Sequence, residues 1–256
     1  MSLLFNECSF QYGQYGQYSR YGRKVPVLDR LSLEIGQRAT VLLGPNGAGK
    51  STLLSIASSW LAPTDGSVSW RGMETHRKSQ LARYRRAVGW LPQHVKPMPG
   101  LTVRENVAYI GWLKGMSRTE AWDQSAPALE RVKLASLADR KSHQLSGGQL
   151  RRMGIAGTLV HRSEIVLLDE PTAGLDPSQR KVFRDLVTDL LADVHVVVST
   201  HQTEDLDEMY ERVIVLDQGR VRFDGDTAGF LSLAGPDVPG GRRAEGAYTQ
   251  LISQEA

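Results

Sequence analysis

The sequence predicts an α/β protein with a mixed sheet, an N-terminal antiparallel β subdomain and an inserted all-α subdomain. Three observations carry this prediction. The apolar run 39–43 leads through a glycine-rich turn into Leu53-Leu54-Ser55-Ile56-Ala57, a strand–turn–helix succession. Two later runs, 165–168 and 194–200, are continuous apolar and β-branched stretches, the pattern of parallel strands buried on both faces. Between them and the first strand, from Thr102 to about Ala138, the helical period dominates.

The elements follow in order. Residues 3–12 alternate enough to form a strand, and 25–35 place Leu31, Leu33 and Ile35 on one face of a half-buried antiparallel strand. Between them lies a short repeat, Gln11-Tyr12-Gly13, Gln14-Tyr15-Gly16 and Gln17-Tyr18, whose glycines and aromatics suit a loop that extends a hairpin. Pro63-Thr64-Asp65-Gly66 is a turn before a strand at 67–70, and 88–91 is another strand ended by Pro92. Pro97, Pro99 and Gly100 then mark a connection. In the inserted helical segment Val103, Val107, Ile110, Leu113, Leu129, Val132 and Leu137 are the core candidates. Helices at 148–161 and 178–191 alternate with the strands at 165–168 and 194–200, and 213–217 with 221–223 forms a closing hairpin about Gln218-Gly219. Beyond Gly225 the composition shifts: 235–246 reads as a Gly, Pro and Arg-rich linker and 247–252 as a short helix.

The glycine-rich turn is Gly44-Pro45-Asn46-Gly47-Ala48-Gly49-Lys50-Ser51-Thr52, which satisfies G-x-x-x-x-G-K-[ST] between a strand and a helix. The glycines let the backbone curl so that successive N–H groups face inward at the positive end of a helix dipole. Lys50 adds a point charge for β- and γ-phosphates, and the Ser51 hydroxyl can ligate Mg²⁺. The chain is therefore expected to have a P-loop NTPase core and to bind a nucleoside triphosphate. The apolar run at 165–168 ends in Asp169-Glu170. In P-loop proteins the aspartate after such a strand holds Mg²⁺. Neighbours on an extended segment point to opposite sides, so Glu170 is assigned to orienting or deprotonating the attacking water.

Leu145-Ser146-Gly147-Gly148-Gln149 adds a second anion-facing element, with Ser146 as helix N-cap and Gly147 and Gly148 leaving the helix N-terminus bare. At this point the chain resembles the ATP-binding cassette (ABC) ATPase family, whose signature reads LSGGQ. Its other motifs stand in family order: the P-loop, Gln93 after Leu91-Pro92, the signature, the Asp-Glu strand, the loop Ala173-Gly174-Leu175-Asp176, and His201 ending the next strand. The resemblance covers residues 3–225, with the helical subdomain inserted at about 101–145 and a C-terminal tail at 226–256.

The resemblance implies a homodimer or pseudo-dimer of ATPase subunits. The signature residues Ser146, Gly147, Gly148 and Gln149 of one copy then contact the γ-phosphate held by the other. It implies that Gln93 meets Mg²⁺ and the attacking water and that His201 contacts the γ-phosphate. Asp176 would lie across the dimer seam. It also implies an aromatic stacked on adenine: Tyr12 ends a strand of the usual form, while Tyr21-Gly22-Arg23-Lys24 matches the usual following turn equally well. Leu150 departs from the polar residue common after the signature; Arg151 and Arg152 keep the basic pair, with little consequence expected. The implied cofactors are ATP and Mg²⁺. The implied activity is ATP hydrolysis powering transport through a separate integral membrane permease, with export favoured by the segment from Leu101 to Asn106. The alternative is a soluble mechanical ATPase of iron–sulfur assembly, translation or DNA repair.

Bulk properties agree. The 256 residues are 41% hydrophobic and 23% charged, ordinary for a globular protein. A net charge of +3 is too small to indicate nucleic acid, so no such partner is expected; the cluster Arg83, Arg85, Arg86 reads as a solvated helix face. The lone Cys8 excludes an internal disulfide framework and reads as a small buried apolar residue. No run approaches eighteen apolar residues, and the N-terminus lacks a signal-peptide pattern. The expected location is the cytoplasm, peripheral on the inner face of the membrane through the permease.

Overall fold

The computed structural model describes residues 2–13, 24–206 and 209–253. The chain forms two compact units, Met1–Arg77 with Val197–Ala256, and Lys78–Val196.

The first unit opens with β1 (Leu3–Gly13) and β2 (Lys24–Ile35), paired antiparallel with Leu3 opposite Ile35 and Gly13 opposite Lys24. Alternation buries Leu3, Phe5, Cys8 and Phe10 on one strand and Leu28, Leu31, Leu33 and Ile35 on the other. The register slips between Phe5 and Cys8, where Glu7 takes φ 47°, and Arg30 on the facing strand takes φ 43°; the bulge keeps the apolar face turned inward. Cys8 is fully buried, its Sγ 3.1 Å from the Ser67 carbonyl, and burial raises its thiol pKa. β3 (Ala39–Leu43), buried at every residue, runs into the P-loop and α1 (Lys50–Ala57). β4 (Asp65–Trp70) lies antiparallel along β1, and β5 (Met73–Glu74) closes a sheet of order β2-β1-β4-β5.

The second unit runs through α2 (Lys78–Ala87), β6 (Val88–Leu91), α3 (Val103–Leu113), α4 (Arg118–Arg131), α5 (Gly147–Leu159), β7 (Ile165–Asp169) and α6 (Pro177–Leu190). β6 and β7 pair in parallel, Val88 opposite Ile165. Thr102 starts α3 with a capping box to Glu105, and Ser117 caps α4. The helical core buries Val103, Val107, Leu129 and Val132 as the period predicts. Leu113, expected in that core, is instead 60% exposed, because it is the last residue of α3 and the chain turns away at Lys114-Gly115. Ile110 and Leu137 are half-buried. On α2, Arg83 and Arg85 are solvated, while Arg86 pairs with Glu120 at 2.6 Å.

β8 (His195–Thr200) passes from the second unit into the first. β9 (Arg212–Asp217) runs parallel to β3, Thr40 opposite Arg212, and β10 (Arg220–Asp226) returns antiparallel, so the sheet is mixed. The tail is more ordered than its composition suggests. Asp226 caps α7 (Thr227–Ser232), a helix outside those expected from the sequence, and α8 (Arg243–Ser253) begins inside the stretch expected to be linker. Phe230, Ala234 and Ala247 are buried, and Phe230 meets Phe223 edge-on at 5.5 Å; these anchors order residues whose local sequence is turn-like.

Candidate active site

In the first unit the P-loop is built by backbone conformations that glycine supplies. Gly47 and Gly49 take φ of 86° and 105°, and a Cβ at Gly47 would meet nothing within 4 Å, so the loop's mouth is open. Gly49 is the N-cap of α1 and offers no side-chain cap, which leaves the first amides of that helix facing the loop. The Lys50 ammonium lies across the loop and donates to the carbonyls of Gly44 at 2.8 Å and Pro45 at 3.0 Å. Ser51 is exposed at the mouth, whereas Thr52 is buried and shares a 3.3 Å hydrogen bond with the Tyr12 hydroxyl. Tyr12, braced edge-on by Phe10 at 4.9 Å, therefore stands at the start of the P-loop helix; Tyr21 and most of the tyrosine repeat lie outside the described residues. The Gly44 amide donates to the Thr200 carbonyl at 3.3 Å, which sets the half-buried His201 next in line after the P-loop's own strand.

In the second unit Asp169 ends β7 and is 3% exposed. Glu170, 7% exposed, does not continue the extended segment that the apolar run predicts: it takes φ 44°, immediately before Pro171. The backbone at Glu170 is thus a left-handed turn and not a continuation of the strand. Such a conformation in a non-glycine residue costs about 1–3 kcal/mol and is disfavoured further before proline. Gln93 donates its Nε2 amide to Glu170 Oε2 at 3.2 Å, so two of the expected catalytic residues are in contact.

Arg151, one of the basic pair after the signature and given no role by the sequence, completes this cluster. Its Nη1 donates to the Glu170 carbonyl at 2.6 Å and its Nη2 to the Gln93 carbonyl at 3.2 Å. Its spacing of five residues from Ser146 is local, but its partners lie 19 and 58 positions away, and nothing in the sequence announces them.

Ser146 is the N-cap of α5 and forms a capping box with Gln149: its hydroxyl accepts from the Gln149 amide at 3.3 Å, and Gln149 Oε1 accepts from the Ser146 amide at 3.0 Å. Gly147 is open to solvent, while a Cβ on Gly148 would strike Gln179 Oε1. Asp176 caps α6 and accepts from Ser178 Oγ at 2.6 Å and the Gln179 amide at 2.9 Å; these bonds hold its carboxyl below the usual range.

The comparisons with known proteins agree with this architecture. Residues 28–173 match the family described as ABC transporter (ABC_tran). The chain belongs to the ABC transporter ATP-binding family and is an ATPase that binds and hydrolyses ATP. It is 40% identical, over 86% of its length and 80% of the relative's, to the cobalt import ATP-binding protein CbiO of Rhodobacter capsulatus. It is 36% identical to the Nod factor export ATP-binding protein I of Paraburkholderia xenovorans, over 80% of this chain and 68% of that one. Among solved structures it is similar to the dimeric bacterial ABC transporter cassette MJ0796, with a TM-score of 0.75, 29% identity and coverage of 88% of this chain and 98% of that one. The same cassette is also known in a post-hydrolysis state bound to ADP and Pi. Among the described residues no helix is long and apolar enough to cross a membrane.

Proposed function

We propose that this chain powers transport through a separate membrane-spanning permease, as one of two ATPase subunits that clasp ATP head to tail. The observation that carries the catalytic part is the Gln93–Glu170 contact at 3.2 Å behind a strained Glu170 backbone, since strain is stored where a side chain must be aimed. Residues 44–52 of one copy cradle the phosphates through backbone amides and Lys50, and Ser146 to Gln149 of the other copy face the γ-phosphate, with Asp176 at the seam. Tyr12 is assigned to the adenine, on the strength of its place beside Thr52.

Ser51, Asp169 and Gln93 carry the hard oxygen donors that suit Mg²⁺. The ion, when bound, neutralises charge on the β- and γ-phosphates. Glu170 takes the proton of the attacking water, Gln93 and His201 orient it, and Lys50 with the loop amides stabilises charge spreading over the γ-phosphoryl oxygens. The Glu170→Gln variant is expected to lower turnover about 10²–10⁴-fold, keep nucleotide binding and accumulate an ATP-bound dimer seen by size-exclusion chromatography. Turnover at the wild-type rate would remove Glu170 from the mechanism.

The permease contact is assigned to a groove of about 740 Å³ on α3 and α4, where Tyr109, Trp112 and Trp122 share the lining with Glu105, Arg118 and Thr119. Trp112 and Trp122 are 51% and 43% exposed there, a cost in water that a partner's apolar helix end would relieve. The proposed direction is export, resting on the segment from Leu101 to Asn106; relatives named for import and for export stand at similar identity. ATP-dependent substrate accumulation in inside-out vesicles tests direction, and activity indifferent to any membrane fraction would favour the soluble mechanical ATPase.

A further inference from the structure

We propose that Arg151 is a positioning residue for hydrolysis: from the signature helix α5 it holds the peptide carbonyls of Glu170 and Gln93 so that their side chains meet over the attacking water. The proposal rests on the reading of Glu170 as the base.

Three hydrogen bonds make a closed ring. The guanidinium forks to the Glu170 carbonyl at 2.6 Å and the Gln93 carbonyl at 3.2 Å, and the two side chains join at 3.2 Å. A fork of two fixed donors suits two carbonyls at a set separation, which a lysine ammonium cannot reproduce. The Glu170 carbonyl also accepts from the Ala173 amide at 3.2 Å, so a turn and a cation together retain the φ 44° conformation. Without the cation, that backbone has a ready escape to the extended region favoured before Pro171, and the carboxylate swings with it.

Arg152, the adjacent residue, supplies the contrast. It donates to the carbonyls of Val132 at 3.1 Å and Lys133 at 3.2 Å, satisfying the end of α4, and touches neither Glu170 nor Gln93 through any of those bonds. Two neighbouring arginines thus do different work, one bracing a helix terminus and one the carboxylate's backbone. Because Arg151 sits on the helix that Ser146 begins, a shift at the signature end is carried by a rigid rod to the Glu170 and Gln93 peptides.

The test is steady-state ATPase kinetics on the full chain, with its permease where one is isolated. Arg151→Met is expected to lower kcat 30-fold or more with KM for ATP changed less than threefold, and Arg151→Lys to recover part of the loss by reaching one carbonyl. Arg152→Met is expected to lower thermal stability with kcat within threefold. In a Glu170→Gln background, Arg151→Met is expected to cause a much smaller further loss than in the wild type, because one of the two groups it positions is already inert and only Gln93 remains, and the ATP-bound dimer should persist. Wild-type kcat in Arg151→Met, or a full multiplicative loss in the double variant, would overturn the proposal. Should Arg151→Met not fold, Arg151→Lys in both backgrounds gives the same two readings. Failure of the underlying reading shows separately, as undiminished turnover in Glu170→Gln alone.

Discussion

His161, just beyond the end of α5, is fully buried with its Nδ1 2.8 Å from the Arg86 carbonyl, a geometry that places the ring proton on Nδ1 and turns Nε2 to the interior. Protonating Nε2 would bury a charge, and the Lys114 ammonium, which donates to the carbonyls of Arg85 at 2.8 Å and Val88 at 3.0 Å, adds repulsion. Burial chiefly, and Lys114 second, depress the His161 pKa to about 4 from 6.5. A depressed folded-state value means that the unfolded chain takes up this proton first as pH falls. The contribution of the group is complete above pH 6.5 and is lost as pH drops toward 4. Urea unfolding at pH 7.5 and pH 4.5 should therefore show the wild type losing about 2–3 kcal/mol more than His161→Gln across that interval. Equal losses would show that this imidazole protonates freely in the folded protein.

At the scale of elements, the β9–β10 turn braces the P-loop from behind. Gly219 takes φ 74°, donates its amide to the Ala48 carbonyl at 2.9 Å, and sits where a Cβ would lie 2.1 Å from the Val27 carbonyl. Gly219→Ala must therefore push the hairpin off the loop, and the expected effect is a tenfold or greater rise in KM for ATP. Gly72, with φ 76° and open space around its missing Cβ, is the control. Gly72→Ala should cost about 1–2 kcal/mol from backbone conformation alone and leave KM where it was. The helix starts are simpler. Ser146→Ala removes one half of a capping box and should cost about 1 kcal/mol in chemical denaturation, besides whatever it takes from the proposed contact with ATP.

For the whole molecule, the exposed indoles on α3 and α4 make a prediction separable from catalysis. Arg104 lies 3.9 Å over the Trp122 ring and Trp112 stacks on Tyr109 at 5.8 Å, so the aromatic surface is held in shape before any partner arrives. Replacing Trp112 and Trp122 together by Ala should abolish co-purification with the permease from detergent-solubilised membranes while basal ATPase activity stays within twofold. Retained co-purification would move the contact elsewhere. The dimer test with Glu170→Gln belongs to this scale too, since one copy supplies only part of each proposed pocket.

Read alone, the residues determined what depends on contiguous chain: the strand–loop–helix of the P-loop, the capped start of α5 at Ser146, and the alternation that separates the two faces of β1 and β2. Each is set by neighbours a few positions apart, where backbone preference and period act directly. Family membership was legible for the same reason, because its motifs are short and ordered. Tertiary structure decided the rest. Leu113 fits the apolar period yet ends its helix in solvent, and the tail becomes helical because Phe230 and Ala247 find a buried place. Glu170 sits in a left-handed turn that strand alternation could not suggest, held by an arginine from a distant helix. A guanidinium's choice of carbonyl partners is made by packing across tens of residues, and no local pattern in the chain encodes it.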